Sequence, residues 1–465
     1  MEMRVLTAAL SLIGIAWPTW CATYYASPEG RADNTGNTLS AAWDVLSGLK
    51  NLKAGDSLIV AEGRYSIPYV PETKNTITLS QSGASESPIT VSVPPISSGG
   101  AFSYAIFDFS FPSQDWVQDS FGLLISGDYW ELNGIAVTRA GYQGVYVTGS
   151  HNTLKHCAFF ENRNTGLEIN KGGEYTTVIQ SDAYRNYDPK KNGSMADGFG
   201  PKQTQGPGNR FIECRAWENS DDGFDTYDSP DSVVFENCWA FRNGVDVWGY
   251  GGFAGNGNGF KAGGNSQQAN NRLVRCIAFG NPQKGFDQNN NTGGITLLNC
   301  LAYANGTNYG MGNRLNAGQM HRLINNISLG AGSDIANAQM ISNSWNSGFR
   351  VTDADFISLD TGLALSPRQG NGKLSEIALF QLRAESPLLD AGMDVGLAYA
   401  GSAPDLGPFE LNRPVHILGG TRNIPAKTGL HPIFRGLEYS LLGIRTAGNS
   451  CFGNGKPRSY PRADD

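Results

Sequence analysis

The sequence predicts an all-β solenoid, a parallel β-helix, and three observations carry that prediction. The first is a short phrase that returns five times with its flanks changed: Thr165-Gly166-Leu167-Glu168, Asp197-Gly198-Phe199-Gly200, Asp222-Gly223-Phe224-Asp225, Asn258-Gly259-Phe260-Lys261 and Lys284-Gly285-Phe286-Asp287. The second is a six-residue block that opens on Cys or Ser and closes on Asn, at 157–162, 181–186, 214–219, 238–243, 276–281 and 300–305. Three of its steps are 24 residues, the length of a coil of three short strands and three turns. The third is composition: 59 Gly with only 17% charged residues suits many short strands and tight turns rather than long exposed helices. A solenoid can absorb 465 residues as one unit.

Taken in order, the chain opens on a short head with Arg4, an apolar run over 5–17 and small residues around Cys21 and Ala22. The run is too short to span a bilayer. It predicts a secretory signal peptide over 1–22, cleaved after Cys21 or Ala22, and so an extracellular protein without a membrane anchor. Leu39, Ala42, Trp43, Leu46 and Leu49 fall on one helical face, predicting a short helix over 38–52 that caps the open end of the solenoid. Gly55-Asp56 breaks it, Ser57-Leu58-Ile59-Val60-Ala61 reads as the first buried strand, and short apolar strands follow from Thr76 to Thr138. After the six blocks, 386–392 and 403–410 read as the chain folding back to finish the last coils. The β-helix domain is therefore placed at 23–412, with a Gly-, Pro- and Arg-rich tail over 413–465 that has no assigned role.

The six Asn predict a stacked ladder that closes one turn of each coil. The Cys column predicts an interior stack of free thiols, because an in-register parallel stack does not aim neighbouring sulfurs at one another. Cys-x-x-Cys spacing of the metal-binding kind is absent.

The insertions locate a site. From the column Asn to the Gly of the repeated phrase takes 4 residues in three coils, but 12 from Asn186 to Gly198 and 16 from Asn243 to Gly259. Both extra segments emerge at one corner, immediately before Asp197 and Lys261, and insertions on one face of a solenoid build its binding face. Stacking turns sequence columns into spatial neighbours about 4.8 Å apart. Asp197 then lies over Asp222, Asp225 lies beside Lys261, and Asp221 sits at the same turn. Four adjacent carboxylates with no Cys or His ask for a hard cation with oxygen ligands, which suits calcium. Lys261 beside a bound dication would lose its proton more readily and become available as a base.

Calcium with an amine base fits one reaction in particular: removal of the C5 proton of a uronic acid followed by loss of the 4-O-linked sugar. A net charge of -7 with no basic stripe argues against nucleic acid as partner. Calcium would instead bridge an acidic protein to an acidic polysaccharide, with Lys202 and Lys284 holding further carboxylates along the groove.

At these residues the sequence resembles family 9 of the polysaccharide lyases, secreted pectate lyases with a right-handed parallel β-helix. The resemblance runs through Ala196-Asp197-Gly198-Phe199, Gly206-Pro207-Gly208-Asn209, Asn219 to Asp225, Gly259-Phe260-Lys261 and Gly280-Asn281-Pro282 to Asn289, and covers roughly 23–411. It implies that Asp197, Asp221, Asp222 and Asp225 ligate calcium, that Lys261 abstracts the proton, and that polygalacturonate is cleaved by β-elimination. Some relatives act on rhamnogalacturonan, so that polymer or another uronate is the alternative substrate. A β-helix polygalacturonase would carry Gly-His-Gly and Arg-Ile-Lys phrases, and neither is present. A non-catalytic calcium-dependent carbohydrate-binding β-helix would keep the aspartates but has no need of Lys261. The protein is expected to act as a monomer.

Overall fold

The computed structural model describes residues 21–94, 103–348 and 350–411, with the backbone of 416–417 and 420–421. Residues 1–20 of the proposed signal peptide and nearly all of the tail lie outside the described residues. Within them, the chain winds through three parallel sheets of twelve, ten and ten strands, each strand pairing with its counterparts one coil before and one coil after. Among the described residues, no helix is long and apolar enough to cross a membrane.

The repeated phrase has a steric explanation. A Cβ at Gly198 would lie 2.7 Å from the carbonyl oxygen of Gly223, and one at Gly223 would lie 2.6 Å from that of Gly259. Successive coils approach so closely at this column that only glycine fits. The following Phe points inward, where Phe199, Phe224, Phe260 and Phe286 stack at centroid separations of 5.1, 4.7 and 5.2 Å. Glycine thus sets the spacing and phenylalanine fills the core.

The Asn ladder forms as expected. Asn186 Nδ2 donates to Asn219 Oδ1 (2.8 Å), Asn219 Nδ2 to Asn243 Oδ1 (3.0 Å) and Asn281 Nδ2 to Asn305 Oδ1 (2.9 Å), all fully buried. The cysteines at 157, 214, 238, 276 and 300 are free and buried, with Ser181 in the same column. Asn219→Ala would take the acceptor from the backbone N–H of Asn186 and remove one hydrogen bond each from the side-chain amide of Asn186 and the oxygen of Asn243, a loss of about 1–3 kcal/mol. A lower urea midpoint at unchanged slope is the expected result, and an unchanged midpoint would refute a structural role for the ladder.

Two expectations need correction. The N-terminal cap is not one helix over 38–52 but a 3₁₀ turn, Leu39–Ala41, and a separate α-helix, Val45–Asn51. Ala42 is extended, and Trp43 N donates to Tyr25 O (2.9 Å), so the chain pairs with the first strand before it can continue helically. Asp44 restarts it by accepting from Ser47 N (2.9 Å), and the helix buries Val45, Gly48 and Leu49. Nor does the segment after 350 complete further coils. It lies along the outside of the solenoid, where Phe356, Leu379, Phe380 and Leu388 pack on Trp239, Phe241, Ile277 and Phe279. Arg368 fastens it through Asp182, which also receives Arg215.

Candidate active site

One sheet carries the site. Its strands Leu167–Ile169, Phe199–Pro201, Phe224–Asp225, Phe260–Lys261 and Lys284–Asp287 are consecutive neighbours, with Asp225 opposite Lys261 and Lys261 opposite Asp287. The columns read from the sequence are therefore real neighbours. The two insertions meet at this corner: Ala254 N donates to Asn192 O (2.9 Å), and Tyr187 packs on Trp248 and Tyr250 with centroids 5.0 and 5.2 Å apart. Together they wall one side of the aspartates.

Each aspartate is anchored through its Oδ1 by a backbone amide. Asp197 Oδ1 accepts from Asp222 N (3.2 Å), Asp221 Oδ1 from Asn256 N (2.6 Å), Asp222 Oδ1 from Asn258 N (2.7 Å) and Asp225 Oδ1 from Tyr227 N (2.8 Å). Two of those amides belong to the second insertion, which is why it ends at Asn258. The second oxygens of Asp197, Asp222 and Asp225 face lysines. Lys261 Nζ lies 3.0 Å from Asp222 Oδ2 and 3.7 Å from Asp225 Oδ2, while Lys202 Nζ lies 2.6 Å from Asp197 Oδ2 and 3.6 Å from Asp225 Oδ2. Four carboxylates against two ammonium groups leave two negative charges for a dication to meet.

The donor set fits calcium. Ligand oxygens of Asp197, Asp221 and Asp222 come within 4.8 Å of one another, all from buried residues, and the set is entirely hard oxygen. Asp225 stands outside that tightest group but faces the same two lysines. Asp222 Oδ2 faces Lys261 Nζ at 3.0 Å, so a dication entering the cluster would compete with that ammonium for it. Burial pushes the Asp225 carboxyl up to about 7 and raises those of Asp221 and Asp222 as well. Burial alone would lower Lys261, but Asp225 and Asp222 outweigh it and hold the ammonium above the ordinary lysine range.

The remaining lysines take different places. Lys202 is buried between Asp197 and Asp225 as an internal counter-ion, and its stem occupies space left by Gly200, where a Cβ would lie 3.1 Å from Lys202 Cε. Lys284, 38% exposed, pairs with Asp287 one turn away from the aspartate cluster (2.7 Å). Sequence columns missed Tyr227, whose ring lies 5.3 Å from Lys261 Nζ, and Thr165, whose hydroxyl donates to Asp197 Oδ2 (3.1 Å). Thr165 stood in the Asp197 column, and that register was the available signal.

Comparison with known proteins places this geometry. The family described as Pel9A-like, right-handed β-helix region, matches residues 24–326. The chain belongs to that family. Membership fixes the hand of the solenoid as right-handed. Within the family's relatives, the chain is 54% identical to pectate lyase L of Dickeya dadantii over 390 residues, 84% of this chain and 90% of that protein. It is 32% identical to pectate lyase L of Paenibacillus polymyxa over 317 residues, 63% and 68% of the two chains. The solved structure of pectate lyase Pel9A superposes with a TM-score of 0.81 at 53% identity, covering 85% of this chain and 97% of that one. A rhamnogalacturonan lyase follows at a TM-score of 0.67 and 26% identity, covering 78% and 97%.

Proposed function

We propose that the protein is a secreted, calcium-dependent pectate lyase that opens polygalacturonate by β-elimination, with Lys261 as the base that removes the C5 proton. The lyase class rests on family membership and on relatives more than half identical over most of the chain. Pectate is favoured over rhamnogalacturonan because similarity to the pectate lyase structure is 53% against 26%. Secretion is read from the leader over 1–22, and the β-helix over 23–412 is the catalytic unit.

The observation that carries the mechanism is the place of Lys261. Its side chain is 12% exposed and its Nζ lies 3.0 Å from Asp222 Oδ2, inside the aspartate cluster. A module that only binds sugar has no use for a nearly buried amine there. Calcium, when held by Asp197, Asp221, Asp222 and Asp225, supplies positive charge that engages the uronate carboxylate and acidifies the neighbouring C–H. Lys261 changes character with its neighbours: facing free carboxylates it keeps its proton, and once those charges are met, the same burial favours the neutral amine. Nζ then takes the C5 proton, the electron pair forms the C4–C5 double bond, and the C4–O bond breaks, with the leaving oxygen protonated from solvent. Lys202, buried against Asp197 and Asp225, keeps those carboxylates in register.

The test is ultraviolet absorbance of polygalacturonate digests, with calcium and then with a chelator. A calcium-dependent rise marks the unsaturated product of elimination, and new reducing ends without that rise would mean hydrolysis and defeat the proposal. The rate at saturating calcium is expected to climb from neutral into alkaline pH, because Lys261 must be neutral to act. A profile that peaks in acid would identify a carboxylate base instead.

A further inference from the structure

A pocket of about 190 Å³ opens on the same sheet as the aspartates, on the side of the earlier coils. Its walls include Phe121, Tyr142, Gln143, Glu168 and Lys171, together with Lys202. Lys202 also bonds Asp197 (2.6 Å), so the pocket and the aspartate cluster share one wall residue. Along the sheet, Tyr146 pairs with Glu168, Glu168 with Gly200, and Phe199 with Phe224 of the next coil. Glu168 thus stands two coils from Asp225, and Tyr146 three, roughly 10 and 14 Å away.

The pocket floor is a polar network with one vacancy. Gln143 is 4% exposed and its Nε2 donates to Glu168 Oε2 (2.8 Å), while Asn170 Nδ2 donates to Glu168 Oε1 (2.8 Å). A carboxylate can only accept, so Glu168 forces the amide nitrogen of Gln143 toward itself and leaves Gln143 Oε1 as a free acceptor. That oxygen is buried and has no hydrogen-bond partner among the described residues. An unpaired acceptor in a dry site costs free energy unless a ligand donates to it. Beside it Tyr142 is half-buried, propped by Trp116 (centroids 5.5 Å apart) and Phe121 (5.8 Å). A rigid aromatic edge beside a hydroxyl acceptor matches a pyranose ring, which presents C–H groups on its faces and hydroxyls around its rim.

We infer that this pocket is a distal sugar subsite of the groove, holding a ring of the same polysaccharide chain through its hydroxyls, with Gln143 Oε1 as acceptor and Tyr142 as the apolar wall. The inference rests on the lyase reading for the identity of the polymer. It assigns chain-length preference to residues two to three coils away from Lys261.

The experiment compares octagalacturonate with digalacturonate, which is too short to reach from the aspartates to the pocket. Calorimetric binding of both is measured in the Lys261→Ala background and octamer kinetics in the otherwise native protein. Gln143→Ala is expected to weaken octamer binding and raise its KM about five- to tenfold, with kcat held and dimer binding moving less than about twofold. Tyr142→Ala, at a half-exposed position that endangers folding less, is expected to do the same. Equal losses on both oligomers, or no loss on either, overturn the subsite. Failure of the native protein to form unsaturated product overturns the lyase reading alone, and the calorimetric comparison then still decides the subsite.

Discussion

Lys261→Ala is expected to lower the rate of unsaturated-product formation by about 10³-fold or more while leaving calcium binding intact. A positioned general base contributes about 10²–10⁴-fold, and among the described residues no second amine lies where it could substitute: Lys202 is committed to Asp197 at 2.6 Å and Lys284 to Asp287 at 2.7 Å. The carboxylates proposed to hold calcium are untouched by the substitution. Removing a cation 3.0 Å from Asp222 should even tighten calcium binding, which calorimetry reads independently of turnover. Lys261→Arg sharpens the result, since guanidinium keeps the positive charge but cannot give up its proton. Both variants should be inactive if the group is a base. If arginine restores more than about a tenth of the rate, charge and not proton transfer is what the position supplies.

The site was legible because a solenoid turns a one-dimensional repeat into a map. Once Gly198, Gly223 and Gly259 are aligned, the stacking of Asp225 on Lys261 follows from register alone, and the structure has that pairing. What register cannot give is the direction a long side chain takes. Lys202 reads as an exposed groove cation in the sequence, yet it turns inward because the missing Cβ of Gly200 leaves room for its stem and two carboxylates await its charge. The same limit explains the outer layer. In the blocks Trp239-Ala240-Phe241 and Ile277-Ala278-Phe279 the alanine faces the coil interior, and the large residues face out. An apolar exterior on one sheet requires cover, and the segment after 350 supplies it instead of adding coils. The capping helix is shorter than its periodicity over 38–52 for a comparable reason: one strand-like pairing at Trp43 holds the chain extended before the helix Val45–Asn51 begins.

Calcium should stabilise the fold in a pH-dependent way that Asp222→Asn removes. In the metal-free protein, burial raises the Asp225 carboxyl to about 7 and those of Asp221 and Asp222 as well, against about 4 in an unfolded chain. Between those values the folded protein holds protons that the unfolded chain has released, so the contribution of these carboxylates to metal-free stability is largest below the unfolded value and falls as pH rises toward about 7. Calcium requires the deprotonated carboxylates and relieves the repulsion among them, so its stabilisation grows over the window in which the metal-free protein weakens. The increase in melting temperature on adding calcium is therefore expected to be small at about pH 5 and several degrees larger at about pH 8. Asp222→Asn keeps a side-chain oxygen able to accept from Asn258 N but removes one ligand charge from the tightest group. It should weaken calcium binding by about 10²-fold, flatten the pH dependence of the melting increment and reduce lyase activity at limiting calcium in proportion. A calcium increment equal at both pH values would mean that these carboxylates are not where the ion binds. An increment unchanged in Asp222→Asn would place the ion elsewhere even if the pH dependence held.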